Sequence, residues 1–86
     1  MIIELLPQER PCRARFDTPI YMTTGFSSEF GGLALLIVQL TMYKIQAERV
    51  SSSEGADYFQ SATFYGGKFW IIDDQSHVTF LMPHEY

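Results

Sequence analysis

The chain has 86 residues and a formal net charge of −4, with ten acidic and six basic side chains. This length fits one domain, residues 1–86, and a hydrophobic content of 47% is enough for a packed core, which excludes wholesale disorder. The acidic balance disfavours general binding to a phosphate backbone, and a single cysteine, Cys12, excludes an internal disulfide.

An arm and one strand are predicted at the start of the chain. Two prolines interrupt residues 1–18, so we expect an N-terminal arm or a short strand there. The β-prone residues 19–24 predict a strand, and its first residue, Pro19, is typical of a sheet edge. Since no secretory leader is recognisable in the first residues, we expect a cytoplasmic protein.

Residues 28–48 predict a helix. Apolar residues recur there at three- and four-residue spacing, which predicts one inward face. That predicted inward face consists of Leu33, Leu36, Ile37, Leu40, Tyr43 and Ala47. The longest apolar run, residues 33–38, is far shorter than a membrane span, so no membrane association is expected.

Residues 57–82 predict a three-stranded meander. Gly66-Gly67 is placed in the first turn and Asp74 in the second, because these residue types favour tight turns. One face of the meander is then wholly apolar, with Ala62, Phe64, Phe69, Ile71, Val78, Phe80 and Met82. We therefore predict an α+β fold, a two-layer sandwich of one central helix on a three- to four-stranded, mainly antiparallel sheet.

The opposite face of the meander is the predicted partner-binding surface. Large, partly apolar side chains on a polar face are typical of the anchors and rim of a protein interface. The predicted surface comprises Trp70, Tyr65, Ile72 and Leu81, with Lys68 and Thr63. In one alternative the N-terminal arm covers this face with its apolar residues Ile2, Leu5 and Leu6. In another, the same face or a sheet edge joins two copies in a homodimer.

Catalytic, metal and nucleic-acid sites receive little support. A small metal-dependent enzyme would use Asp73, Asp74 and His77, but their spacing matches no strong metal signature. Single-stranded nucleic acid could stack on Tyr65 and Trp70 only if the arginines of the arm, Arg13 and Arg15, folded alongside. We therefore expect no catalytic residue, no metal and no cofactor, and a protein as the partner.

Three segments resemble a small family of uncharacterised proteins of Firmicutes and their phages. They are Tyr21-Met22-Thr23-Thr24-Gly25-Phe26, the amphipathic residues 33–43, and Asp57-Tyr58-Phe59-Gln60. The resemblance implies an α+β domain in a bacterial or phage setting, and assigns no functional residue. Together with the small size and acidity, it suggests a protein–protein interaction module that acts as a phage- or mobile-element-encoded modulator or inhibitor of a host protein.

Overall fold

A sheet layer and a helical layer make up the fold in a computed structural model, which describes residues 2–86. The strands are β1 Ile3–Leu5, β2 Ile20–Met22, β3 Phe59–Phe64, β4 Gly67–Asp73 and β5 Val78–Leu81. The helices are α1 Thr24–Phe30 and α2 Ala34–Ile45, joined by a 3₁₀ turn, Gly31–Leu33. A π-helical turn, Gln46–Val50, extends α2, and a 3₁₀ turn, Pro83–Glu85, follows β5.

The sheet has five strands in the order β1-β3-β4-β5-β2. The predicted α+β class is confirmed, and the predicted three- to four-stranded, mainly antiparallel sheet is roughly right but differs from the structure in two respects. First, the sheet gains an edge strand, because β1 pairs antiparallel with β3. Second, the sheet is mixed, because β2 runs parallel to β5. β2 lies within the strand predicted at residues 19–24, and β1 lies within the arm or short strand predicted at residues 1–18. Each has only three residues, too few for a two-residue alternation to indicate its neighbour or direction in the sheet.

The two faces of the meander are as predicted, although the first turn is displaced by one residue and the second is longer than predicted. The first turn is Tyr65-Gly66, whose φ angles of 50° and 81° are those of a type I′ hairpin, and Phe64 pairs with Gly67. In the second, Asp73 pairs with Val78 across a four-residue loop. Each register is shifted by two residues, which leaves the paired side chains on their predicted faces, whereas Tyr65 moves from the outer face into the turn. All seven residues of the predicted apolar face are buried.

The helical layer turns a different side toward the sheet than predicted. Its buried residues are Phe26, Ala34, Ile37, Val38, Thr41 and Ile45. Of the predicted inward face only Ile37 is fully buried, whereas Leu36 is 42% and Tyr43 is 74% exposed. The pattern misled because apolar residues run almost all round this helix, and a period alone cannot choose between two apolar sides.

The helical segment as a whole, Thr24–Val50, has 27 residues. By length and composition alone it could cross a membrane, a criterion that a core helix of a soluble protein also meets. Its start is fixed by Thr23, whose hydroxyl accepts a hydrogen bond from the Phe26 N–H at 3.1 Å.

The centre of the core is aromatic. The Phe26 ring contacts the rings of Phe69 and Phe80 edge-on, with both centroid distances at 5.4 Å. Phe16, from the predicted arm, is also buried and has a φ of 52°. Its N–H donates to the carboxylate of Asp73 at 2.9 Å, so a residue predicted to lie in a loop anchors the arm in the core.

Candidate protein-binding groove

An open groove of about 520 Å³ lies on the outer face of the sheet, opposite the helical layer. Residues 6–10, which follow β1, form one wall, and the outward side chains of β3 and β4 form the floor. Its lining includes Leu6, Arg10, Phe59, Lys68, Trp70 and Tyr86. We call this feature the outer groove.

Three aromatic rings form the floor of the outer groove. The centroid of Trp70 lies 4.9 Å from that of Phe59 and 5.5 Å from that of Tyr86. Phe59 and Tyr86 are 6.4 Å apart with an angle of 89° between their planes. Tyr86 packs edge-to-face against both other rings, and the Phe59–Trp70 pair is tilted, so each ring is oriented by its neighbours. Trp70 remains half-buried, which leaves part of the indole available to a partner.

Tyr86 reaches the floor because the residue before it is tied to the start of the helical segment. The carboxylate of Glu85 accepts hydrogen bonds from the Thr23 hydroxyl, from the Met82 N–H at 2.8 Å and from the Gly25 N–H at 3.1 Å. The bond from Thr23 and the bond from Met82 lower the pKa of Glu85 from its ordinary 4.5. This carboxylate therefore joins the C-terminal turn to the helix.

The wall of the outer groove is held by a partly buried polar network. The Gln8 side chain donates to the Gly55 carbonyl at 2.9 Å and accepts from the buried amide of Gln60 at 2.8 Å. Two residues farther along the arm, the Arg10 N–H donates to the Asp57 carboxylate at 2.8 Å. The Arg49 guanidinium donates to the Leu6 carbonyl at 3.0 Å. Because side chains from three parts of the chain hold it, this wall is preformed.

A hydroxyl without a partner lies at the floor. The Oγ of Ser61, directly opposite Trp70 in the sheet, is buried and makes no hydrogen bond within residues 2–86. A buried, unpaired hydroxyl costs about 1–3 kcal/mol of stability. The second such atom in the described part of the chain is Thr18 Oγ1, in a separate groove of about 620 Å³.

The predicted partner-binding residues do not all lie together. Lys68, Trp70, Ile72 and Thr63 are on the outer sheet face, as predicted. Tyr65 instead lies in the hairpin turn, where it is 84% exposed and its ring packs beside Phe64 at 4.6 Å. Leu81 lies opposite Trp70, where the predicted register placed Thr79, and Leu81 is buried, so it offers no anchor to a partner.

The N-terminal arm covers this face only in part, because of its three apolar residues only Leu6 lines the outer groove. Leu5 packs against the core on the inner side of the sheet, and Ile2 is exposed. Sequence reasoning missed two of the three floor rings. Phe59 could have been found, because it follows the same two-residue alternation as Ser61. Tyr86 lies beyond the last strand, where no periodic signal exists.

Both carboxylates of the acidic turn after β4 accept hydrogen bonds from backbone N–H groups. Asp73 is buried and accepts the N–H groups of Phe16 and Gln75, both at 2.9 Å. Asp74 accepts the N–H groups of His77 and Ser76, and these bonds lower the pKa of Asp74. Within residues 2–86, no group of three or more His, Cys, Asp or Glu side chains could hold a metal ion.

The cations of the arm are divided between the two grooves. Arg13 and Arg15 line the second groove with Thr18, whereas Trp70 lies in the outer groove. The arrangement required for single-stranded nucleic acid, with these two arginines beside Trp70, is therefore not present. At the outer groove, Arg10 and Lys68 are accompanied by acidic side chains, so neither sign of charge dominates.

The outer groove thus combines an aromatic floor, a hydrogen-bonded wall and charges of both signs. These features suit the recognition of an extended chain, in which apolar side chains alternate with backbone polar groups. No family model, no curated protein and no solved structure matches this chain.

Proposed function

We propose that this protein is a protein-interaction module whose outer groove binds an extended, proline-containing segment of a partner protein. The observation that carries the proposal is the floor of Phe59, Trp70 and Tyr86 beside a preformed wall. Aromatic-lined grooves suit proline-rich segments, because a polyproline II helix is already extended and loses little entropy on binding.

The parts of the groove have distinct roles in this proposal. Trp70 is half-buried among two other rings, so a proline ring can pack against a fixed surface. The indole N–H of Trp70 can donate to a carbonyl of the peptide. Lys68 is exposed at the rim, where it adds attraction to an acidic side chain of the partner.

The rigidity of the wall favours binding. Because the hydrogen bonds of Gln8 and Arg10 already hold residues 6–10, ordering this segment adds no further entropic cost to complex formation. The family resemblance extends the proposal to a modulator of a host protein, which would act by occupying a proline-containing segment of that protein.

A peptide selection tests the proposal. A random-sequence peptide display library is panned on the wild-type chain, and enriched peptides are then measured on Trp70→Ala and on the control Tyr43→Ala. Tyr43 is an exposed aromatic residue on the helical layer, away from the groove. We expect proline-containing peptides that bind the wild type and the control alike and bind Trp70→Ala at least about tenfold more weakly.

Binding can be followed by intrinsic tryptophan fluorescence, because Trp70 is the only tryptophan in the chain. A bound peptide is expected to shift the fluorescence of the wild-type protein. Circular dichroism and urea unfolding confirm that each variant is folded, and Lys68→Glu serves as a second, exposed variant that does not disturb the rings. The proposal fails if no peptide is enriched, or if enriched peptides bind Trp70→Ala as tightly as the wild type.

A further inference from the structure

We propose that Ser61 binds the partner directly, by donating its hydroxyl to a backbone carbonyl of the segment that occupies the outer groove. The inference rests on the proposed function and adds to it a hydrogen bond that fixes where the segment lies. Ser61 lines the groove between two large neighbours. Leu6, on the wall, donates its backbone N–H to the Ser61 carbonyl at 2.8 Å, and Trp70 is the cross-strand partner of Ser61 on β4.

The Ser61 hydroxyl differs from the other buried polar groups in having no partner. Residues 2–86 bury four polar side chains, and all four are hydrogen-bonded within the chain: Thr41, Asp57, Gln60 and Asp73. The two buried side-chain atoms that lack a partner in the same residues are Ser61 Oγ and Thr18 Oγ1. Ser61 lines the outer groove and Thr18 lines the second groove. Hydrogen-bonding capacity is therefore left unused where a ligand can approach.

The hydroxyl can reach the groove by rotation about one bond. Its oxygen is shielded in the free protein, but Ser61 as a whole is only half-buried, so other atoms of the residue are exposed on the outer face of the sheet. A serine side chain moves among three staggered positions about its Cα–Cβ bond. Such a rotation brings the oxygen to the exposed side without any movement of the strand.

A proline-containing segment supplies the acceptor that this hydroxyl needs. Proline has no N–H, and a polyproline II helix makes no internal hydrogen bonds, so its carbonyls all require outside donors. Ser61 and Trp70 both carry a donor, and cross-strand partners have Cα atoms about 5 Å apart. Because a polyproline II helix advances about 3.1 Å per residue, carbonyls one or two residues apart can meet both donors. Two such bonds fix the register of the segment.

The hydroxyl is expected to have opposite effects on the free protein and on the complex. Without a partner it lowers the stability of the free protein, and with a carbonyl it strengthens binding. Binding sites commonly retain groups that the fold alone would be more stable without. A purely structural role would instead change stability and binding in the same direction.

Calorimetric titration with the tightest-binding proline-containing peptide of the selection tests the inference. Ser61→Ala is expected to raise the peptide Kd about three- to tenfold, although the variant unfolds at a higher urea concentration than the wild type. Ser61→Cys has a similar volume but is only a weak donor, so it should also weaken binding. The matched control is Thr18→Ala, which removes the unpaired hydroxyl of the second groove and is expected to bind like the wild type.

A thioamide scan of the same peptide locates the carbonyl that Ser61 contacts. Each carbonyl oxygen in turn is replaced by sulfur, which is a weaker hydrogen-bond acceptor. At one position the replacement is expected to weaken binding to the wild type by about three- to tenfold and to leave binding to Ser61→Ala unchanged, because both changes remove the same hydrogen bond.

Three outcomes would overturn the inference and leave the proposed function standing, since Trp70→Ala tests that function separately. In the first, Ser61→Ala binds the peptide as tightly as the wild type. In the second, Thr18→Ala weakens binding as much as Ser61→Ala does. In the third, every thioamide replacement has the same effect on the wild type and on Ser61→Ala. A selection that yields no proline-containing peptide refutes the proposed function, and this inference with it.

Discussion

Gly55 holds the wall of the outer groove in place, and its replacement by alanine should release that wall. The residue has a φ of 84°, and a Cβ atom built on it would lie 1.8 Å from the carbonyl oxygen of Cys12. Carbon and oxygen atoms do not normally approach closer than about 3.3 Å. Because the obstacle is backbone, no side-chain rotation can relieve it, and the arm must move away.

The expected loss arises from the contacts that this movement breaks. A left-handed conformation costs a non-glycine residue about 1–2 kcal/mol. The Gln8 side chain bonds to the Gly55 carbonyl at 2.9 Å, and the Ala14 N–H bonds to the Ala56 carbonyl at 3.1 Å. Each such hydrogen bond contributes about 1 kcal/mol. Gly55→Ala is therefore expected to lower the free energy of unfolding by about 3–4 kcal/mol.

Urea unfolding followed by Trp70 fluorescence measures this loss. The matched control is Gly32→Ala, since a Cβ atom on Gly32 meets nothing within 4 Å and its φ is not positive. That substitution is expected to stabilise the protein by up to about 1 kcal/mol. If Gly55→Ala unfolds within about 1 kcal/mol of the wild type, the close approach of Cys12 does not fix the arm.

Two further predictions concern polar groups. Ser61→Ala removes a buried hydroxyl that has no partner within residues 2–86. The free energy of unfolding, measured in urea, should therefore rise by about 0.5–1 kcal/mol. A decrease would show that the hydroxyl is hydrogen-bonded. The hydrogen bonds that Glu85 accepts lower its pKa. The stability that they confer is therefore present above the ordinary pKa of 4.5, and it is lost as the pH falls through the lowered pKa of the folded state. Glu85→Gln should therefore lose less stability than the wild type between about pH 6 and pH 3, and equal losses in the two proteins would contradict this.

The alternation of residues 59–82 was enough to predict which side chains face the core, but not which residues pair. A shift of two residues conserves the faces, so the apolar pattern could not distinguish Tyr65-Gly66 from Gly66-Gly67 as the turn. The turn is Tyr65-Gly66 because Tyr65 adopts a positive φ angle. That conformation is uncommon for tyrosine, and no local sequence pattern predicts it.

The sequence predicted only those parts of the candidate site that lie within a periodic strand. Trp70 and Lys68 were placed correctly because they lie within a strand of clear period. The wall and Tyr86 depend instead on contacts between distant parts of the chain, such as Arg10 with Asp57 and Thr23 with Glu85. Local patterns do not encode contacts of this range.

The two edge strands of the sheet, β1 and β2, affect how readily the protein aggregates in concentrated solution. Unpaired backbone groups at the border of a sheet can recruit strands from other molecules and so start fibrous growth. Here β1 and β2 each present three residues, and prolines adjoin them, Pro7 two positions after β1 and Pro19 directly before β2. Proline has no N–H to offer an incoming strand, so both margins discourage templated aggregation.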